Sequence, residues 1–167
     1  MNSVSGARNQ PFTHPLLDRM LGEPGFAEVP ESGFDLFRRR PGHTLLFFSE
    51  DPVRYRETLD LAVVLPELAR AFAGRFAVGV LLPVAARAIA PRYGVRRWPA
   101  LVLLRDGEYV GAIEGIRDWN DYRRDLGRML AAPSVRAPSI GIVVKAEGPA
   151  KLCDASSGLQ IFQERHI

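Results

Sequence analysis

A single cysteine, Cys153, occurs in the 167 residues of the chain. No intrachain disulfide can form, and exchange through a cysteine pair within one copy is excluded. Histidine is also scarce: His14, His43 and His166 stand far apart, with no spacing that places two on one face and no acidic partner at a ligand interval. Surface positions account for them, and no metal is expected. The glycines form no phosphate-cradling loop, and neither a GxSxG elbow nor a paired-histidine metal motif is present. Nothing in the first twenty residues is a secretory h-region, and runs such as "LAVVL" and "ALVLL" are too short to cross a bilayer. These absences lead us to expect a cytoplasmic protein with no membrane insertion, no cofactor and no catalytic residue.

What is present is ordinary globular composition, 47% hydrophobic and 25% charged, which fits one domain with tails. The net charge is +3, but the bases are dispersed among nearly as many acids. Arg38 to Arg40 form the one tight basic run. It is joined neither to stacking aromatics nor to a known module, so it reads as a solvated helix end and no nucleic acid is expected as a partner.

Along the chain, residues 1–13 are polar, without periodicity, and expected to be a flexible N-terminus. A short helix is predicted over 14–21, stopped by Gly22 and Pro24, and "FAEV" at 26–29 suits an edge strand. In "ESGFDLFRRRPG", Ser32 reads as an N-cap with Asp35 three residues on, giving a helix of about two turns before Pro41-Gly42. "HTLLFFS", 43–49, is nearly all apolar, the pattern of a strand covered on both faces. Helical spacing returns from Thr58 to Gly74, with Leu61, Leu65, Leu68 and Phe72 on one face and a kink expected at Pro66. A second buried strand over 76–82 and a helix over 84–95 imply a parallel crossover. Two runs, 100–105 and 108–113, flank Asp106-Gly107, a strong hairpin signal. The last helix starts at Asp118 with a core stripe of Trp119, Tyr122, Leu126 and Met129. After Pro133 the composition turns to Pro, Ser, Gly and Ala, and the one apolar run, "IGIVV" at 140–144, either adds a strand or binds a partner.

The segment "RRWPALVLLRDGEYVG" begins a buried strand with proline, which has no N–H for a ladder but permits a cis bond at small cost. In this order of elements the chain resembles the thioredoxin fold over about residues 26–131, an α/β fold with a mixed central sheet and flanking helices. "VVLPELARAFAGRF" looks like its kinked second helix, Pro99 like its cis proline, and Gly115 like the glycine facing its peptide-binding groove. The resemblance implies that backbone beside Pro99 is turned outward, where a guest peptide can pair with it. It also implies a cysteine pair before the kinked helix. Counted back from Pro66, those two places hold Thr58 and Leu61, and neither can form a thiolate.

A more specific resemblance rests on "LLFFSEDPVRYRE", "DLAVVLPEL", "RYGVRRWPALVLLRDGEYVGAIEGIRDW" and "IGIVVKAE", which span about Leu16 to Glu147. They are similar to the hydrogenase expression/formation proteins of the HupG/HyaE type, a thioredoxin-like family without the cysteine pair. That resemblance implies a non-enzymatic accessory chaperone in maturation of a membrane-bound nickel–iron uptake hydrogenase. Its expected partners are the precursor of the small, iron–sulfur subunit with its twin-arginine signal peptide, together with other hydrogenase accessory proteins. The domain would span 14–132, followed by a Pro/Gly/Ser-rich extension over 133–167.

For the site itself, Glu50, Asp51, Glu57, Asp60 and Glu67 stand against Arg54 and Arg56 within residues 50–67, a local net charge of −3 in a protein of +3. Carboxylates so placed can take the guanidiniums of a twin-arginine segment in paired hydrogen bonds, or can simply answer the dipole of a helix N-terminus. Trp98, next to Pro99, is either a guest contact or core. With Pro99 and Gly115 these residues make up the expected partner-binding set. The competing reading, a thiol-dependent oxidoreductase using Cys153, has little support, because Asp154 beside that thiol raises its pKa.

Overall fold

The computed structural model describes residues 14–138. The N-terminal 1–13, the "IGIVV" run, Cys153 and His166 lie outside the described residues. Helix α1 (Pro15–Leu21) starts with proline at its first position, where no N–H is needed, and His14 Nδ1 accepts the Leu16 N–H at 3.2 Å. Its buried Leu17 and Met20 lie in the same core layer as α3 (Glu57–Ala71).

Strands β1 (Phe26–Glu28), β2 (His43–Phe48), β3 (Phe76–Leu81), β4 (Ala100–Arg105) and β5 (Glu108–Glu114) form one sheet in the order β1-β3-β2-β4-β5. The first three run parallel, whereas β4 is antiparallel to both β2 and β5. With β2 central and "FAEV" at one edge, this is the mixed, thioredoxin-like sheet expected from the order of elements. Successive side chains of a strand alternate between faces, so β2 feeds two cores. Leu45 and Phe47 enter the layer with α1, α3 and α5 (Trp119–Ala131), while Leu46 and Phe48 enter the layer with α2 (Phe34–Arg38) and α4 (Pro83–Ile89). Burial on both faces explains the uninterrupted apolar run. In β3, Gly79 leaves room for the Phe37 ring, whose Cε1 stands 2.5 Å from where a β-carbon would lie.

Three local expectations are corrected. Ser32 caps nothing: Glu31–Gly33 form a 3₁₀ turn closed by the Gly33 N–H on the Pro30 carbonyl at 3.0 Å, and α2 starts only at Phe34. Packing of Phe34 and Phe37 sets that five-residue helix. The second correction concerns α5, where Tyr122, Leu126 and Leu130 are buried and Met129 is partly so, but Trp119 is 41% exposed. As the helix's first residue it overhangs the sheet. Third, the helix before Gly94 ends as α at Ile89 and continues as a 3₁₀ turn over Ala90–Tyr93.

Helix α3 runs unbroken through Pro66. The hairpin turn puts Asp106 at φ 50° and Gly107 at φ 84°, the left-handed pair that an Asp-Gly sequence accommodates. No helix among the described residues is long and apolar enough to cross a membrane.

Candidate functional site at the strand ends

Register fixes which loops meet. Phe48 pairs with Leu81 on one side and Ala100 on the other, and Ala100 pairs with Glu114. The segments just beyond those residues, 49–56, 82–84, 96–99 and 115–119, therefore share one end of the sheet.

At its centre the Trp98–Pro99 bond is cis. Pro99 is buried, and its carbonyl accepts the Gly115 N–H at 2.8 Å. The Gly115 carbonyl in turn accepts the Tyr122 hydroxyl at 3.2 Å, and burial pushes that phenol's pKa up. Gly115 sits at φ 73° with open space where a side chain would start, so the backbone there is both held and bare. Trp98 is half-buried against the α2/α4 layer, which places it between the two roles its sequence position left open. Its own N–H and C=O have no backbone partner among the described residues, the condition an added strand requires.

The acidic residues are not brought together as expected. Glu50 is 3% exposed, and both its oxygens are taken by the Arg87 guanidinium, Nε at 2.8 Å and Nη2 closer still. Oε1 also accepts the Asp51 N–H at 2.8 Å. A carboxylate desolvated and paired in this way holds its own loop and cannot also receive a guest; hydrogen bonding to it raises the pKa of Arg87. Asp51 is engaged too: Oδ1 accepts the Val53 N–H at 2.9 Å, and its carbonyl accepts Arg54 N–H at 3.1 Å and Tyr55 N–H at 2.8 Å. Only Glu57, Asp60 and Glu67 are exposed, all on α3, and Glu67 is paired with Arg70 at 2.5 Å. At ~1.5 Å rise per residue, Glu67 stands about 15 Å along the axis from Glu57. The linear charge excess thus divides between a self-bonded turn and an exposed helix face.

The places counted back from Pro66 are closed to chemistry. Thr58 and Leu61 are both 0% exposed, and the Thr58 hydroxyl accepts the Glu50 N–H at 3.3 Å.

Sequence reasoning missed the apolar character of this end. Val53 (86% exposed), Val84, Ile116, Trp119 and Tyr55 (39%) come from three different segments, and all lie at or beside it. Scattered exposed apolar residues need no explanation, but these five are gathered by the fold at one end of the sheet. The signal was present as isolated apolar residues inside polar loops, unreadable until β-register joined them.

The family model for "Hydrogenase-1 expression protein HyaE" matches residues 16–122. The hydrogenase expression/formation protein HoxO of Cupriavidus necator is 42% identical over 132 residues, covering 78% of this chain and 82% of its own. HupG of Rhodobacter capsulatus is 40% identical over 122 residues, covering 72% of this chain and 88% of its own. A crystal structure of a HupG-type protein from Rhodopseudomonas palustris CGA009 is 39% identical, with TM-score 0.45, and covers 63% of this chain and 95% of that one. The chain belongs to the HyaE family of hydrogenase expression proteins.

Proposed function

We propose that the protein is a non-enzymatic accessory in hydrogenase maturation, which holds the small-subunit precursor, with its signal peptide, in the cytoplasm before export. The reading is carried by the strand-end surface. A backbone segment at Trp98 without backbone partners among the described residues lies beside the bare Gly115 and is rimmed by exposed apolar side chains, while the places of a catalytic cysteine pair are filled by buried Thr58 and Leu61. Such a surface suits capture of an extended chain by main-chain pairing with side-chain pockets on either hand. Membership of a hydrogenase expression family supplies the process in which capture is used.

Within this reading the partner-binding set changes. Trp98, Pro99 and Gly115 form the floor, Glu50 and Asp51 keep the adjoining loop in shape, and Glu57, Asp60 and Glu67 face solvent along α3, where guanidiniums of a guest can reach them.

The test is affinity capture of the small-subunit precursor by the full chain, with and without the precursor's signal peptide. Retention of the precursor, and loss of retention when the signal peptide is removed, is the expected result. Failure of the intact precursor to bind, or turnover of protein disulfides that Cys153→Ser abolishes, overturns it.

A further inference from the structure

The charge of the strand-end surface is opposite to that of its sequence neighbourhood. Apart from the exposed Asp118, its acids are engaged: Glu50 with Arg87, Asp51 with the Val53 N–H, and Glu114 with the Arg96 N–H at 3.1 Å. Its guanidiniums are not. Arg54, Arg56, Arg96, Arg97 and Arg117 are all exposed, and none forms an ion pair among the described residues. Two of them directly precede Trp98, and Arg117 follows Ile116, with the exposed Asp118 between it and Trp119.

Arginine and large aromatics in one patch are the residue types that dominate binding energy at interfaces. Guanidinium also grips a carboxylate through a planar pair of hydrogen bonds and tolerates desolvation better than ammonium. Guanidiniums in excess over free carboxylates, here five arginines against Asp118, repel a basic segment and attract an acidic one. We infer that this surface selects an extended apolar segment flanked by acidic side chains, and that any arginines of a guest lie off it, along the outer face of α3. The inference rests on the reading that this end of the sheet holds a polypeptide, and it names the chemistry of the part held.

The chain's two tryptophans, Trp98 and Trp119, both lie at this surface, so intrinsic fluorescence reports occupancy directly. Two synthetic peptides sharing one apolar β-branched core are titrated into the full protein, one flanked by pairs of aspartate and the other by pairs of arginine. At low salt the aspartate-flanked peptide is expected to bind about ten-fold tighter, a gap that shrinks when ~1 M salt cuts the screening length to about 3 Å. The triple variant Arg96→Gln, Arg97→Gln, Arg117→Gln should bring the two peptides within about two-fold of each other, since exposed charges removed together remove the steering but little of the apolar contact. Its unchanged melting curve would establish that it is folded.

Equal binding of the peptides, preference for the arginine-flanked one, silence of both tryptophans toward either, or discrimination that survives the triple variant overturns the inference. Capture of the precursor would stand in each of those cases, so the two readings fail separately.

Discussion

Where β4 turns into β5, the Asp106 N–H donates to the Gly42 carbonyl at 2.9 Å, and the Gly42 N–H donates to the Asp106 carboxylate at 2.6 Å. There Gly107 packs so close to the backbone of Arg38 that a β-carbon would lie 3.0 Å from its carbonyl oxygen. At the far end of the same strands, Trp98 leaves its backbone groups without backbone partners among the described residues, and apolar side chains stand in solvent. One end is stitched to itself and the other is left open, though the strands between are shared. The difference shows that the open end is not a consequence of a loose fold, because the same sheet closes its other end tightly.

Substitutions separate the two ends by how much stability each contributes. Phe47→Ala removes a fully buried ring from the core beneath both, and should destabilise by about 3–5 kcal/mol in denaturant titration, with binding and folding lost together. Arg87→Ala leaves the Glu50 carboxylate buried without its cation. Because the Arg87 side chain is 49% exposed, water replaces part of what is lost, and a cost of about 1–3 kcal/mol is expected. At the stitched end, Asp106→Ala loses the Gly42 bond and puts alanine at φ 50°, for about 1–2 kcal/mol, with precursor capture by the folded fraction unchanged. A double change at the open end, Val53→Ser with Val84→Ser, should move stability by no more than about 0.5 kcal/mol while weakening precursor capture about three-fold. A large loss of stability from that pair, or an unaffected capture, would erase the distinction between the ends.

The smallest expected effect is a pH slope at the stitched end. Burial lowers the pKa of His43 below 6.5, aided by Arg105 and Arg75 and opposed by Asp106. The folded protein therefore binds this proton less readily than the unfolded chain does. The contribution is fully present above pH ~6.5 and is lost as the pH falls through the lower folded value. His43→Gln should flatten the stability profile just below pH 6.5; an unchanged slope would remove the histidine from the account.

Much of the fold was legible because its signals are local or periodic. The all-apolar "HTLLFF" reads as a strand covered twice, Asp106-Gly107 as a hairpin, and Trp98-Pro99 as the point where β4 must begin. The start of α2 was misread because a 3₁₀ turn and a capped helix use the same Ser-x-x-Asp text, and packing of two phenylalanines decides between them. Trp119 was misread because helical spacing gives the face of a residue but not whether the helix end still overlies the sheet. For the candidate site, the sequence pointed to a cis bond at Trp98-Pro99 with Gly115 nearby, and the structure has that bond cis with the Gly115 N–H on the Pro99 carbonyl. A run of acids along the chain does not reveal that Arg87, far away in sequence, will take one of them, so the engagement of Glu50 was not legible. Nor could the apolar rim be seen, since its members are joined only by register.

The turn that follows β2 has a consequence for a visiting chain. With one aspartate gathering three amide hydrogens of its own loop, Val53 and Tyr55 are held in position before any guest arrives. Ordering of the host is completed during folding, so little configurational freedom remains to be surrendered on encounter. The guest alone must give up its disorder, which favours a grip that forms quickly and depends on what the visitor brings.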